Sequence, residues 1–110
     1  MLEPGLDRHE WESELQALEP ELQDDPADAL PELADLVERM LVARGYDVSD
    51  PVVREGEDRE VVAEYLAARE ISDGRERGDD AIGPGDIASA ITGLRALAAY
   101  ILDERSPGLP

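Results

Sequence analysis

Carboxylates offer most of the chemistry in this 110-residue chain: 28 Asp and Glu stand against ten Arg, with one His, no Lys and no Cys. With so many acids, spacing is the test of a site. A carboxylate-bridged di-iron bundle needs Glu-x-x-His on two helices, but His9 is the single histidine and Leu6 stands three residues before it. His9-Glu10 begins like the zinc pattern His-Glu-x-x-His, yet Ser13 fills the place of the second histidine. His9 therefore reads as an exposed helix residue. Neither Asp47 to Asp58 nor Asp73 to Asp80 keeps the alternating oxygen ligands, central Gly and closing Glu of a calcium loop, which leaves Asp79 and Asp80 adventitious cation binding at most. Ser13, Ser49, Ser72, Ser89 and Ser106 find no base other than His9, so no nucleophilic triad is indicated. Gly83-Pro84-Gly85 has no following Lys and reads as a helix start, not a phosphate cradle. Without Cys there is no thiolate, disulfide or Cys-ligated metal. The expected catalytic, cofactor-binding and metal-ligating residues are none.

The elements that position these side chains follow from apolar periodicity. Trp11, Leu15, Leu18 and Leu22 step by four, three and four, which keeps them on one helical face. Asp7 suits an N-cap, and Pro20 inside the stripe predicts a kink or a second start. Asp25-Pro26, with Asp28 three residues after the cap, predicts a new helix with a short capping box. Its stripe is Leu30, Leu33, Val37, Met40 and Leu41, flanked by Leu36, and Gly45 supplies a left-handed end. Tyr46 to Asp58, carrying Pro51 and Gly56, reads as a long connection pinned by Val48, Val52 and Val53, with a hairpin over Tyr46 to Arg54 as a weaker option. A third helix is expected around Arg59 to Arg77, apolar at Val61, Val62, Tyr65, Leu66, Ala68 and Ile71, with Gly78 as its cap. After a turn over Asp79 to Gly83, Pro84 opens a fourth helix with Asp86 in its first turn. Its apolar face is Ile87, Ile91, Leu94, Ala98 and Ile101, widened by Leu97 and Leu102.

These stripes predict an all-α fold: a small bundle of three to four helices with a bent or short first helix. Residues 1–6 are expected to be a flexible N-terminus, 7–104 a single helical domain and 105–110 a flexible tail. Aliphatic residues build the core, since Phe is absent and one Trp and three Tyr supply all the aromatic area. No basic leader precedes an apolar run, and no run approaches the roughly 20 residues that span a bilayer. A cytoplasmic location is expected.

Ten acids, opposed only by Arg8, precede Ala29, and the chain carries a formal charge of −18. Charge of this sign repels phosphate backbones and anionic lipid, which argues against nucleic-acid and membrane partners. Glu57-x-x-Glu60 and Glu70-x-x-Asp73 resemble the paired acidic motifs of all-α nucleotide pyrophosphohydrolases, at a shorter separation than that family uses. The resemblance implies Mg²⁺-dependent hydrolysis of nucleoside triphosphates. The order Trp11-x3-Leu15-Gln16, Asp24-Asp25-Pro26-x2-Ala29-x3-Leu33-x2-Leu36-Val37 and Asp86-x3-Ala90-Ile91-x6-Ala98-x2-Ile101-Leu102 resembles small acidic helical proteins widespread in actinobacteria. That resemblance spans roughly Glu10 to Leu102 and implies an all-α cytoplasmic protein with no assigned activity. Where relatives have an aromatic pair near the end of the last helix, this chain has Leu97 and Tyr100.

The leading functional expectation is a non-catalytic helical interaction module that docks on another protein or on itself. Its motive is an apparent surplus of apolar stripe, wider than one small bundle would bury. The alternative is an acidic decoy or regulator that engages a basic protein surface; the pyrophosphohydrolase comes third. The candidate partner surface is Glu10, Trp11, Glu12, Glu14, Glu19, Glu21 and Tyr100.

Overall fold

The computed structural model describes residues 4–46, 48 and 56–104, and these hold four α-helices and no strand. They are α1 (Pro4–Asp24), α2 (Pro26–Ala43), α3 (Gly56–Glu76) and α4 (Pro84–Glu104). The all-α bundle expected from the apolar periods is the fold. Residues 1–3 of the expected lead, Val52 and Val53, and the expected tail 105–110 lie outside the described residues, as does most of the hairpin option at Tyr46 to Arg54.

Two boundaries move. α1 begins at Pro4, so Asp7 lies inside the helix instead of preceding it as a cap. The cause is that proline is well tolerated in a first turn, where its missing N–H has no helical acceptor to lose. α1 also runs on through Pro20 to a length of 21 residues, which removes the short-helix option. α3 likewise starts at Gly56, three residues before the expected Arg59.

The turns show how the chain reverses. Asp25 alone separates α1 from α2; its backbone N–H donates to Glu21 O at 2.8 Å and its carbonyl accepts from Ala29 N–H at 3.0 Å. The expected capping by its side chain is absent, and Asp28 faces Arg75 of α3 at 3.1 Å instead. At the other end of α2, Gly45 takes φ +92°. There the N–H of Tyr46 donates to Leu41 O and that of Gly45 to Val42 O, which is a complete Schellman ending. Gly78, at φ +81°, repeats the motif after α3, with Asp79 N–H on Gly74 O and Gly78 N–H on Arg75 O. α4 opens as expected at Pro84, where the Asp86 carboxylate accepts the Gly83 N–H at 3.0 Å.

α2 packs on all three other helices, and α4 packs on α2 and α3. The reason is the width of its apolar face. Ala29, Leu30, Leu33, Ala34, Leu36, Val37, Met40 and Leu41 are all buried, and at 100° per residue they cover roughly 160° of the helix. One neighbouring helix cannot cover such an arc. Cross-helix pairs fix the directions: Glu14 meets Arg39, Asp35 and Glu38 meet Arg69, and Glu64 lies over Gly93, so successive helices are antiparallel.

This packing absorbs the apolar surplus that motivated the interaction expectation. The stripes of α2 and α4 are buried throughout, Leu18 and Leu22 of α1 are buried, and Trp11, Leu15, Leu66 and Ile71 pack partly buried against the core. Val42 is the one large hydrophobic residue classed as exposed among the described side chains. Contrary to the expectation that no run is long and apolar enough for a bilayer, Pro84–Leu102 of α4 meets that criterion by length and hydropathy. Its large apolar residues turn inward, while Ala, Ser and Thr occupy most of its exposed positions.

Core truncation on α2 is the most damaging expected change. Leu33→Ala should lower unfolding free energy by about 2–5 kcal/mol in urea titration, because its fully buried site cannot collapse easily. Ser72 is 1% exposed and its hydroxyl has no hydrogen-bond partner. Ser72→Ala should therefore raise stability, by about 1 kcal/mol, through loss of an unsatisfied group and gain in helix propensity.

Candidate functional site

Arginine is the cation of this bundle, and its strongest placement joins α3 to α2. Arg69 is largely buried and lies over the ring of Tyr65, 5.5 Å from guanidinium carbon to centroid. Its Nε donates to Tyr65 Oη at 2.9 Å, and its Nη2 donates to Asp35 Oδ1 at 2.8 Å and Glu38 Oε1 at 2.9 Å. The Tyr65 hydroxyl in turn donates to Glu38 Oε1 at 2.9 Å. One carboxylate oxygen thus accepts from both the phenol and the guanidinium. Burial pushes the Tyr65 hydroxyl up to about 12; the Arg69 hydrogen bond works against this shift and the Glu38 carboxylate adds to it. Arg69 Nε and Nη2 and the Tyr65 hydroxyl all donate to protein acceptors, so the cluster clamps α3 to α2.

The acidic N-terminal stretch is partly neutralised by the same device. Glu14 accepts from Arg39 of α2 at 2.9 Å and Glu19 from Arg95 of α4 at 2.7 Å. His9 Nδ1 lies 4.0 Å from Glu12. Glu14 and Glu21 line a shallow groove of about 350 Å³ between α1 and α2, together with Glu32, Asp35 and Arg39. Partial loss of hydration, followed by the charge and hydrogen bond of Glu21, raises the Glu32 pKa above its ordinary 4.5. Glu10 is exposed, whereas Trp11 packs partly buried against the core. Of the expected partner surface, then, Glu14 and Glu21 share one groove and Glu19 ties α1 to α4. Tyr100 lines a different groove.

That second groove, between α3 and α4, is the larger, with a volume of about 640 Å³. Its α4 wall is made of small side chains, Ala88, Ser89, Thr92, Gly93 and Ala96, and Leu97 and Tyr100 close one end. Glu60 and Glu64, one turn apart, form the α3 edge. A smaller stretch of about 180 Å³ shares Glu64, Ser89 and Gly93 with it and continues past Ala67 to Ile71 and Asp86. From Glu60 to Ile71 the trough follows α3 for about 16 Å, three helical turns. The carboxylate of Glu64 rests over Gly93: a Cβ there would stand 2.7 Å from Glu64 Oε2. Glycine inside a helix costs roughly 1 kcal/mol relative to alanine, and at this position it lets the Glu64 carboxylate lie against the α4 backbone.

Sequence reasoning passed over this groove because it sought large apolar residues. The available signal was the opposite pattern: small residues at positions 88, 92 and 96 of α4, four apart, with Gly93 beside them on the side away from Ile87, Ile91 and Leu94. The pyrophosphohydrolase pairs fall together on α3, as the short separation implied. Glu57 and Asp73 are about 24 Å apart along the helix, too far for one metal centre, and among the described residues no group of three metal-ligating side chains converges.

The chain matches no protein-family model, and no curated protein or solved structure gives a significant match.

The Tyr65 cluster has a signature in alkali. Its hydroxyl titrates at about 10 when unfolded and about 12 when folded, so its stabilising contribution is complete below pH 10 and disappears as pH rises through 12. Urea midpoints should fall over that window, and the fall should be shallower in Tyr65→Phe. At neutral pH the same substitution should cost about 1–2 kcal/mol, from loss of a hydrogen bond to a charged acceptor.

Proposed function

We propose that the chain is a non-catalytic interaction module whose α3–α4 groove receives a segment of another protein or of a second copy. The groove itself carries this reading: three helical turns long, open along its length, walled by small residues and edged by carboxylates. Small side chains let a partner backbone approach closely, and a trough of this length suits an amphipathic helix laid along it. The reading no longer rests on surplus apolar stripe, since the core takes those residues. A cytoplasmic location, and kinship with the small acidic helical proteins that the sequence resembles, belong to the same proposal.

The acidic decoy is the weaker reading. Two of its five glutamates, Glu14 and Glu19, hold arginines of this chain, which leaves them less able to attract a basic surface. The hydrolase is weaker still, because its four carboxylates are strung along one helix.

Photo-crosslinking in living cells tests the module. With a benzophenone amino acid at Thr92, exposed on the groove wall, a discrete protein adduct is expected; at exposed Glu70 it is not. No adduct at Thr92 above the Glu70 background would remove the proposal.

A further inference from the structure

Resting on that reading, the charge of the groove identifies its occupant: we propose that it holds a basic amphipathic helix of a different protein, not a second copy of this chain. Glu60 and Glu64 on α3 and Asp86 on α4 are the acidic residues among the described lining of the trough. No arginine is among its described lining residues. The ion pairs of the described residues place Arg39, Arg69, Arg75 and Arg95 on Glu14, Asp35, Glu38, Asp28 and Glu19, all away from this trough. In a chain where Arg clamps acids on other faces, the groove carboxylates are left without a cation from within the described structure.

An isologous second copy meets the trough with like charge. An isologous dimer would bring Glu60, Glu64 and Asp86 of each protomer towards the same trough, with a formal charge of −18 on both sides. A helix with Ala, Gly or Leu along one face and Arg or Lys flanking it meets both demands. Its small face fits against Ala88, Thr92 and Ala96, and two cations one turn apart match the one-turn spacing of Glu60 and Glu64. Gly93 belongs to the same fit, since it lets the Glu64 carboxylate lie low in the trough.

The probe is a synthetic 14-residue Ala/Leu/Arg helical peptide with Arg at i and i+4 on one flank, titrated against the full chain by fluorescence anisotropy. Its control moves one Arg to i+2, which keeps the charge but breaks the match. Replacing Glu60→Gln and Glu64→Gln together should weaken binding about tenfold, whereas Glu10→Gln with Glu70→Gln removes the same charge elsewhere and should change it less than about twofold. Ala96→Leu, at an exposed helical position that tolerates leucine, should fill the trough and weaken binding while urea stability stays within about 0.5 kcal/mol of the parent. The chain alone should sediment as a monomer.

Equal loss in both double variants, equal affinity for both peptides, or no binding would overturn the inference. So would a dimer dissolved by Ala96→Leu, which would make a second copy the occupant. A Thr92 crosslink that persists while the peptide fails would leave the module standing and remove only its basic-helix partner.

Discussion

α2 has an apolar arc too wide for one partner, and the arrangement of the other helices follows from that. Some 160° of its surface must leave water, so α1, α3 and α4 all pack on it. α4 serves as a second core helix, inserting Leu94, Ala98 and Ile101 between its neighbours. α1 has less to contribute: Leu18 and Leu22 are buried, Trp11 and Leu15 only in part. Ion pairs supplement its thinner apolar seam, from Arg39 to Glu14 and from Arg95 to Glu19. Exposed pairs of this kind add little energy individually but fix the relative position of two helices.

Charge and burial divide the molecule into different faces. Arg69 lies deep enough that its hydrogen bonds to Tyr65, Asp35 and Glu38 exchange water for fixed acceptors, and there the guanidinium joins helices instead of decorating a surface. On the outer side of α3 and α4, none of the arginine ion pairs of the described residues reaches the groove carboxylates. Small residues leave a trough, and Glu60, Glu64 and Asp86 edge it. Carboxylates therefore play two roles: Glu14, Glu19, Asp28, Asp35 and Glu38 accept from arginines, whereas Glu60, Glu64 and Asp86 edge a groove. Composition alone does not separate the two.

Sequence reasoning read the elements well where a local rule was sufficient. Gly45 and Gly78 were legible as helix ends because a positive φ almost requires glycine, and Pro84 with Asp86 was legible as a start because its hydrogen bond closes within four residues. The start of α1 was not, since Pro4 and Asp7 both suit a first turn and choosing between them depends on what lies around the helix. Asp25 had the right residue type for a cap, yet its side chain makes no cap hydrogen bond, and Asp28 pairs with Arg75 instead. The partner surface expected around Trp11, the N-terminal glutamates and Tyr100 combined residues that the bundle distributes between two grooves.

The sequence by itself determined an all-α bundle of three to four helices and most of the apolar residues of its core, because these depend on periodicity and turn chemistry within a few residues. Tertiary structure decided which acids face an arginine and which do not. It also decided that the apolar stripes would be consumed by the core and that small residues on α4 would stand opposite Glu60 and Glu64 as a trough. Those outcomes depend on distances between residues 25 to 76 positions apart in the chain, which packing geometry sets and linear spacing does not encode.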